Sequence, residues 1–490
     1  MNKSLKLNTL LNAFRMLLTV LIPLITFPYT SRIFLTEGSG QLNFASSLVQ
    51  VFILFASLGI YTYGVREGAK FRNDRVSFSV FAKELLIING VSTFITYVVF
   101  LGCVYCIPSI YEYRYLLLIN GISIGFSALG FDWVYGVYEE YAYITKRQIV
   151  VQLFTIVAMF AFVHDITDIY LWAFLLVLSS TGANIFNCIK ARRYIDFKFR
   201  KNEEYRLKKH IQPILVLFAT QLAATVYLNI DTVLLGILST DHHVGLYSAA
   251  VKLNIILITC FTAMMPVFVP RIVESLKDGQ KEEYLKLLKK VFTMIIMFAL
   301  PAVVGIEMLG GELITLIAGQ AFKEATATIH ILAPIILIAS LANIFYYNVL
   351  VPNGKEKMVL VCTLLGAVLN LALSVVLVPI YHENGAAIGS IISESLALFI
   401  VAIYVIKTDN EIMKSFPKIR KYIFGSGLIV LCCFVIKFLI QNYIITILLS
   451  FVTCMFVYFV TLLITKDDAM NEILNMIKNK LVRIQSRGCK

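Results

Sequence analysis

The sequence predicts an all-α, polytopic membrane protein with about fourteen transmembrane helices. Of its 490 residues 59% are hydrophobic and only 15% are charged, where soluble domains carry roughly a quarter charged residues. Apolar runs of about 20 residues follow one another along the whole chain, and about 20 residues cross ~30 Å of hydrocarbon at ~1.5 Å per residue. The basic residues recur between these runs, which is how membrane proteins encode orientation.

Splitting the chain at charged, proline or glycine gaps places the helices at 9–35, 41–63, 84–107, 114–137, 143–163, 168–189, 211–238, 244–270, 291–309, 328–351, 358–379, 385–406, 422–440 and 443–465. With residues near a helix end counted at the face they adjoin, 37 Lys and Arg fall on one side and three on the other. Arg15, Lys252 and Lys437 lie within helices and complete the 43. A missed or invented crossing would invert this alternation downstream of it, so the count predicts fourteen crossings with both termini cytoplasmic. The formal net charge of +13 is spread over these loops rather than gathered in one patch. A nucleic-acid partner is therefore not expected.

The loops carry further expectations. The longest inner one, "KARRYIDFKFRKNEEYRLKKH" (Lys190–His210), divides the chain near its middle. Arg271–Lys290 contains "EEYLKLLKKVF" and the tail contains "EILNMIKNKLVRIQ", both with apolar residues at helical spacing. These are candidate surface helices against anionic membrane lipid, or plain solvated basic loops. The longest outer loop is expected at Gly310–Ala327, short for an enzyme acting on extracytoplasmic substrates. The nine cysteines do not form a disulfide framework, since most lie inside apolar runs, "CVYC" at 103–106 included. The first apolar run is too long for a signal-peptide core and is expected to stay in the mature protein. No GxxxxGK[ST] loop and no HExxH cluster occurs, which argues against direct ATP drive and zinc chemistry.

Helices seven and eight echo helices one and two. "GSGQLNFASSLVQ" (38–50) aligns with "HHVGLYSAAVKLN" (242–254) at an offset of 205, Gly40 falling on Gly245. "FDWVYGVYEEYAYI" corresponds loosely to "FYYNVLVPNGKEKM". The offset preserves orientation, so two parallel six-helix repeats are expected, with helices thirteen and fourteen as an addition. Transporters commonly hold substrate between such repeats.

Charges inside the apolar runs are the candidate functional residues, because each costs about 2.5–3.5 kcal/mol near a helix centre on the insertion scale. Asp231 and Lys252 lie about ten residues either side of the turn between helices seven and eight, at similar depth. They form either a structural pair or two walls of a cavity in which an anion competes for the lysine. Arg15 and Asp132 make a second set near the inner surface, and Arg32 extends the cationic lining or anchors at the outer interface. Glu394, among Ser390, Ser393 and Ser395, is a candidate site for H⁺ or Na⁺. Pro23 and Pro28, and Pro266 and Pro270, mark helices one and eight as places where the backbone bends.

The stretch "PLITFPYTSRIFLTEGSGQLNFASSLVQVFILFASLGIYTYGVREGAKFRND" resembles bacterial polysaccharide-biosynthesis flippases of the Wzx type, in the multidrug/oligosaccharidyl-lipid/polysaccharide exporter superfamily. "FDWVYGVYEEY", "NIDTVLLGILSTDHHVGLYSAAVKL", "MPVFVPRI", "VLVPNGKEK" and "NLALSVVLVPIYHENGAAIGSIISE" follow in order. The resemblance implies translocation of an undecaprenyl-diphosphate-linked oligosaccharide across the bacterial inner membrane for O-antigen, capsule or exopolysaccharide assembly, beside a polymerase machinery. It implies a V-shaped pair of lobes, 1–200 and 201–410, followed by helices thirteen and fourteen (411–466) and a tail (467–490). The diphosphate would then fall to Arg15, Arg32, Lys252 and Arg271, with Asp132, Asp231 and Glu394 pairing with them or coupling an ion. No cofactor is implied. The rivals are an ion-coupled drug exporter, for which carboxylates rather than bases would line the cavity, a lipid II flippase of the same architecture, and a polymerase or ligase, which would need a large arginine-bearing outer loop.

Overall fold

The computed structural model describes residues 2–198, 205–467 and 469–471, with side chains from residue 22 onward, and every regular element among them is helical. The predicted tail helix at 472–485 lies outside these residues. Ten helices are long and apolar enough to cross a membrane, or up to eleven with the bent pair Gln320–Leu332 and Ile335–Leu350 taken as one span. The sequence predicts fourteen crossings, and the difference has identifiable sources. The Asn2–Ser57 helix (α1) and the Glu356–Thr408 helix each exceed one bilayer thickness. The segment at 114–137 is broken into two helices, each short of one.

The chain forms two compact units, Met1–Ser248 with Ser374–Glu383, and Ala249–Leu373 with Asn384–Lys490. In the first unit α1 is followed by α2 (Ile60–Gly68), α3 (Arg75–Cys106), α4 (Arg114–Ala128), α5 (Asp132–Val137), α6 (Tyr141–Phe162), α7 (Ile169–Val177), α8 (Asn184–Ala191) and α9 (Lys208–Leu238). The expected bend of α1 at Pro23 and Pro28 is not where the chain departs from helix. Both prolines lie inside it, and the break falls at Leu35, with φ 54° and ψ −160°. That left-handed backbone is costly for a leucine and survives only where packing holds it. One core lies around Phe34, Phe100, Leu117, Ile124 and Met159. A second lies around Tyr63, Phe78, Leu85, Trp133 and Tyr135. There Gly64 of α2 faces Trp133 of α5, and a Cβ on it would stand 2.7 Å from the indole. The aromatic and glycine positions of "YTYGVREG" and "FDWVYGVYEE" are thus two halves of one packing contact.

In the second unit α10 (Asp241–Thr262, whose first turns belong to the first unit) leads to α11 (Val269–Lys277). Between them the backbone interrupts, as Pro266 and Pro270 predict, with a short 3₁₀ turn at Met265–Val267. Next come α12 (Lys281–Ala318), α13 (Thr326–Leu332), α14 (Ile335–Ile344), α15 (Glu356–Thr408), α16 (Arg420–Leu439) and α17 (Tyr443–Ile464). α15 breaks at His382, φ 50°, within the gap the sequence leaves between helices eleven and twelve. The predicted outer loop is shorter than expected, because α12 continues through Gly310 and Gly311 to Ala318. Those glycines do not end the helix. They let α13 approach, a Cβ on Gly310 standing 3.0 Å from Ile329 and one on Gly311 standing 3.1 Å from Thr326. Large apolar side chains such as Phe94, Phe154, Phe434 and Phe438 are exposed along the helices, as expected of surfaces that face lipid rather than water.

Candidate functional site

Three groups of polar side chains stand out among the described residues of the first unit. The first surrounds Asp231 on α9. Its carboxylate is buried, at 5% exposure. One oxygen accepts from the Tyr247 hydroxyl at 2.8 Å and the other from the Ser374 hydroxyl at 2.8 Å. Two consecutive helices and one segment 143 residues away therefore meet on one carboxylate, which satisfies the requirement that a buried charge be hydrogen-bonded. Sequence reasoning finds Asp231 but neither partner, since a tyrosine and a serine in apolar runs carry no distinguishing signal.

The second place is the end of the unit that lacks basic loops. Gly40, just past the Leu35 break, lies against the turn between α9 and α10, and a Cβ on it would stand 1.8 Å from the Asp241 carbonyl oxygen. A Cβ on Gly245 would stand 2.1 Å from the Thr36 carbonyl oxygen. The offset of 205 that carries Gly40 onto Gly245 also carries Thr36 onto Asp241. Polar contacts reinforce the approach. Tyr113 donates to Asp241 at 2.6 Å, Gln41 donates to the same carboxylate at 3.0 Å, and Thr36 meets His242 Nδ1 at 2.9 Å. Beside them His243 stacks on His382 with ring centroids 4.2 Å apart and lies 2.5 Å from a Glu383 carboxylate oxygen, without the alignment of a good hydrogen bond.

The third place is the basic end. Asp132, at the start of α5, accepts from Arg147 at 3.0 Å and from Asn187 at 2.7 Å, and Arg147 also reaches the Asn187 amide oxygen. Arg147 is only 7% exposed. The sequence pairs Asp132 with Arg15, whose side chain lies outside the described residues; Arg147 supplies a partner that pattern reading passed over as one more basic residue at a helix end. Nearby, Glu84 at 1% exposure accepts from Lys209 at 3.0 Å and meets His210 at 2.8 Å, while the other nitrogen of His210 meets the Tyr63 hydroxyl at 2.7 Å. Glu140 accepts from Lys190 and Tyr194. Burial pushes the Glu140 carboxyl up, but those two donors outweigh it and hold the group below its ordinary range. Burial and the same contact push the Tyr194 phenol up to about 12.

Of the remaining candidates, Arg32 is exposed and turns its guanidinium back to the Pro28 carbonyl of its own helix. Lys252 is half-buried on α10, in the second unit, whereas Asp231 belongs to the first. Arg271 is exposed on α11. Glu394 is half-buried on α15, one turn beyond Ser390, whose hydroxyl meets the Asn370 amide at 3.4 Å. No group of three or more His, Cys, Asp or Glu among the described residues forms a metal site. The arrangement offers hydrogen-bond donors, acceptors and titratable groups inside and at both ends of the first unit.

Comparison with known proteins places these features in context. The family described as "Polysaccharide biosynthesis protein" matches residues 5–276. A putative O-antigen transporter of Escherichia coli (strain K12) is 21% identical over 396 residues, 79% of this chain and 92% of its own length. The capsular polysaccharide biosynthesis protein CapF of Staphylococcus aureus is 23% identical over 369 residues, 74% of this chain and 89% of its own. Among solved structures, lipid II flippase MurJ in an inward closed conformation superposes with a TM-score of 0.67 over 94% of this chain and 99% of its own, at 14% identity. That likeness shows a shared fold.

Proposed function

The chain belongs to the polysaccharide biosynthesis protein family, and from that premise we propose that it is a flippase carrying a lipid-linked oligosaccharide across the membrane. The observation that carries this reading is the match to an O-antigen transporter over 92% of that transporter's length, joined to a polytopic helical fold. The protein is a transporter, not an enzyme, and its function is transport for surface-polysaccharide biosynthesis. The finer reading follows the chemistry. The cargo is an undecaprenyl-diphosphate oligosaccharide, whose diphosphate needs arginine or lysine in water-accessible surroundings. Arg15, Arg32, Lys252 and Arg271 serve it, and Asp132, Asp231 and Glu394 balance those charges or couple H⁺ or Na⁺. The chain crosses the bacterial cytoplasmic membrane fourteen times with its basic loops and both termini inside, as the 37-to-3 distribution of Lys and Arg supports. The extra crossings over the ten or eleven long helices come from dividing α1 and α15 at Leu35 and His382 and from the broken segment at 114–137.

The deciding experiment is deletion of the gene followed by measurement of surface polysaccharide and of undecaprenyl-linked intermediates. Loss of the polysaccharide with intermediates accumulating on the inner face is expected. Normal polysaccharide with new drug sensitivity would point instead to an exporter, and arrest of peptidoglycan synthesis to a lipid II flippase. Labelling from outside should modify a cysteine placed at Thr240 and spare one at Lys355, and the reverse pattern would overturn the orientation.

A further inference from the structure

In the second unit α12, α16 and α17 line two cavities, a polar one shared with the 320–330 segment and an apolar one shared with α10. The polar cavity, about 390 Å³, is lined by Glu307, Glu312, Lys323, His330, Lys437 and Tyr443 among others. The apolar cavity, about 400 Å³, is lined by Leu309, Leu313, Cys433, Ile447, Phe451 and Met455 among others. On α16 the step from Cys433 to Lys437 is four residues, and on α17 the step from Ile447 to Tyr443 is also four. Four residues bring a helix back to the same face about one turn along its axis. α16 and α17 are antiparallel neighbours joined at the Lys437–Tyr443 end, so on both helices the polar side chain caps the apolar one. On α12, Glu312 and Thr315 line the polar cavity where Leu309 and Leu313 line the apolar one. Phe451 is 64% and Met455 43% exposed, so the apolar cavity opens on the lipid side. The polar cavity thus lies about one helical turn beyond the apolar one along α12, α16 and α17.

From this we infer that α12, α16 and α17 form a binding site for one membrane phospholipid with a zwitterionic, ethanolamine-type head. The charges argue for that head. Lys437 pairs with Glu312 at 2.7 Å and His330 with Glu307 at 3.0 Å, each pair partly exposed and therefore reachable. An ammonium finds Glu307 and Glu312, while a phosphate finds Lys437 and the Tyr443 hydroxyl. The cavity's own formal charges balance, Glu307 and Glu312 against Lys323 and Lys437, so a net-neutral head keeps that balance, whereas an anionic lipid would leave a net charge in a site of low dielectric. A polyprenyl diphosphate, with more negative charge still, is disfavoured for the same reason. The site is thus separate from cargo binding, and it holds in either orientation of the chain.

The test uses the purified full-length protein in detergent, with phosphatidylethanolamine or phosphatidylglycerol of identical acyl chains added, read by native mass spectrometry and by thermal midpoint. The ethanolamine lipid should leave a persistent adduct and raise the midpoint, and the glycerol lipid should do neither. Glu307→Gln/Glu312→Gln should weaken ethanolamine-lipid binding about tenfold or more, as expected when a charge-assisted contact is lost. Ile447→Trp, which fills the apolar cavity, should remove the adduct while leaving the lipid-free midpoint near that of the parent. Equal retention of both lipids, displacement of the ethanolamine lipid by undecaprenyl phosphate, or unchanged binding in both variants would overturn the assignment. A folding defect in one variant is recognised by its lipid-free midpoint, and the other variant then decides.

Discussion

Gly40 packs on the backbone of Asp241 as Gly245 packs on the backbone of Thr36, and one 205-residue offset interchanges the two contacts. A reciprocal contact of this kind is what an internal two-fold relation produces, each partner offering the same surface to the other. At each of the two contacts the missing Cβ is what lets the backbones touch. The obstacle to any larger residue is a carbonyl oxygen, which cannot swing aside as a flexible side chain would.

Replacing either glycine should therefore be severe. Gly40→Ala and Gly245→Ala are each expected to impair polysaccharide export, and the valine variants to abolish it, since overpacking a close contact costs about 1–3 kcal/mol or more. Because both substitutions push the same two backbones apart, the double alanine variant should be much less harmful than the product of the singles. Complementation of a deletion strain, scored by surface polysaccharide, checks this; independent, multiplicative effects would show that the two contacts are not coupled.

Asp231→Ala should lower the thermal midpoint in detergent more than Asp231→Asn. The alanine leaves the Tyr247 and Ser374 hydroxyls without their buried acceptor, at about 1–3 kcal/mol for each unsatisfied group, whereas the amide still accepts at one oxygen. Equal midpoints for the two variants would mean that the carboxylate contributes nothing structural at this point.

Arg147→Met should destabilise the first unit by about 1–2 kcal/mol, because it removes the partner of the half-exposed Asp132 carboxylate and a donor to the buried Asn187 amide oxygen. The companion change Asp132→Asn should recover part of that loss in the double variant. Limited proteolysis or thermal melting reads both, and a double variant no better than Arg147→Met alone would contradict the pairing.

Glu140 links stability to acid. Its carboxyl titrates below the ordinary value of 4.5 in the folded protein, so the folded state binds fewer protons there than the unfolded chain does. The contribution is complete above pH about 4.5 and is lost as pH falls through the lowered value. The parent protein should therefore lose more of its thermal midpoint between pH 5 and pH 3, about two units of titration, than Glu140→Gln does. Parallel losses in the two proteins would refute the linkage.

Much of the architecture is legible in residues taken one at a time. The apolar stretch 443–465 is α17 (Tyr443–Ile464) to within a residue, and the gap after Pro379 contains the break at His382. Where the sequence misleads, a residue does two jobs. Gly310 and Gly311 read as a loop, yet they serve helix packing inside α12. Pro23 and Pro28 mark the first helix for bending, and the residue at which it departs from helical geometry is Leu35, which has no local signal.

By itself the sequence determined the all-helical membrane class, the approximate position of the long apolar helices, and the spread of basic charge between them. Each of these follows from sums over neighbouring residues, because partition into hydrocarbon and attraction to a charged face are local and nearly additive. Only the tertiary structure decided which polar group answers which: Asp231 is met by Ser374, 143 residues away, and Asp132 by Asn187, 55 residues away. Such pairings depend on how whole helices pack, and a hydroxyl or amide in an apolar run looks the same in sequence whether it meets a carboxylate or its own backbone.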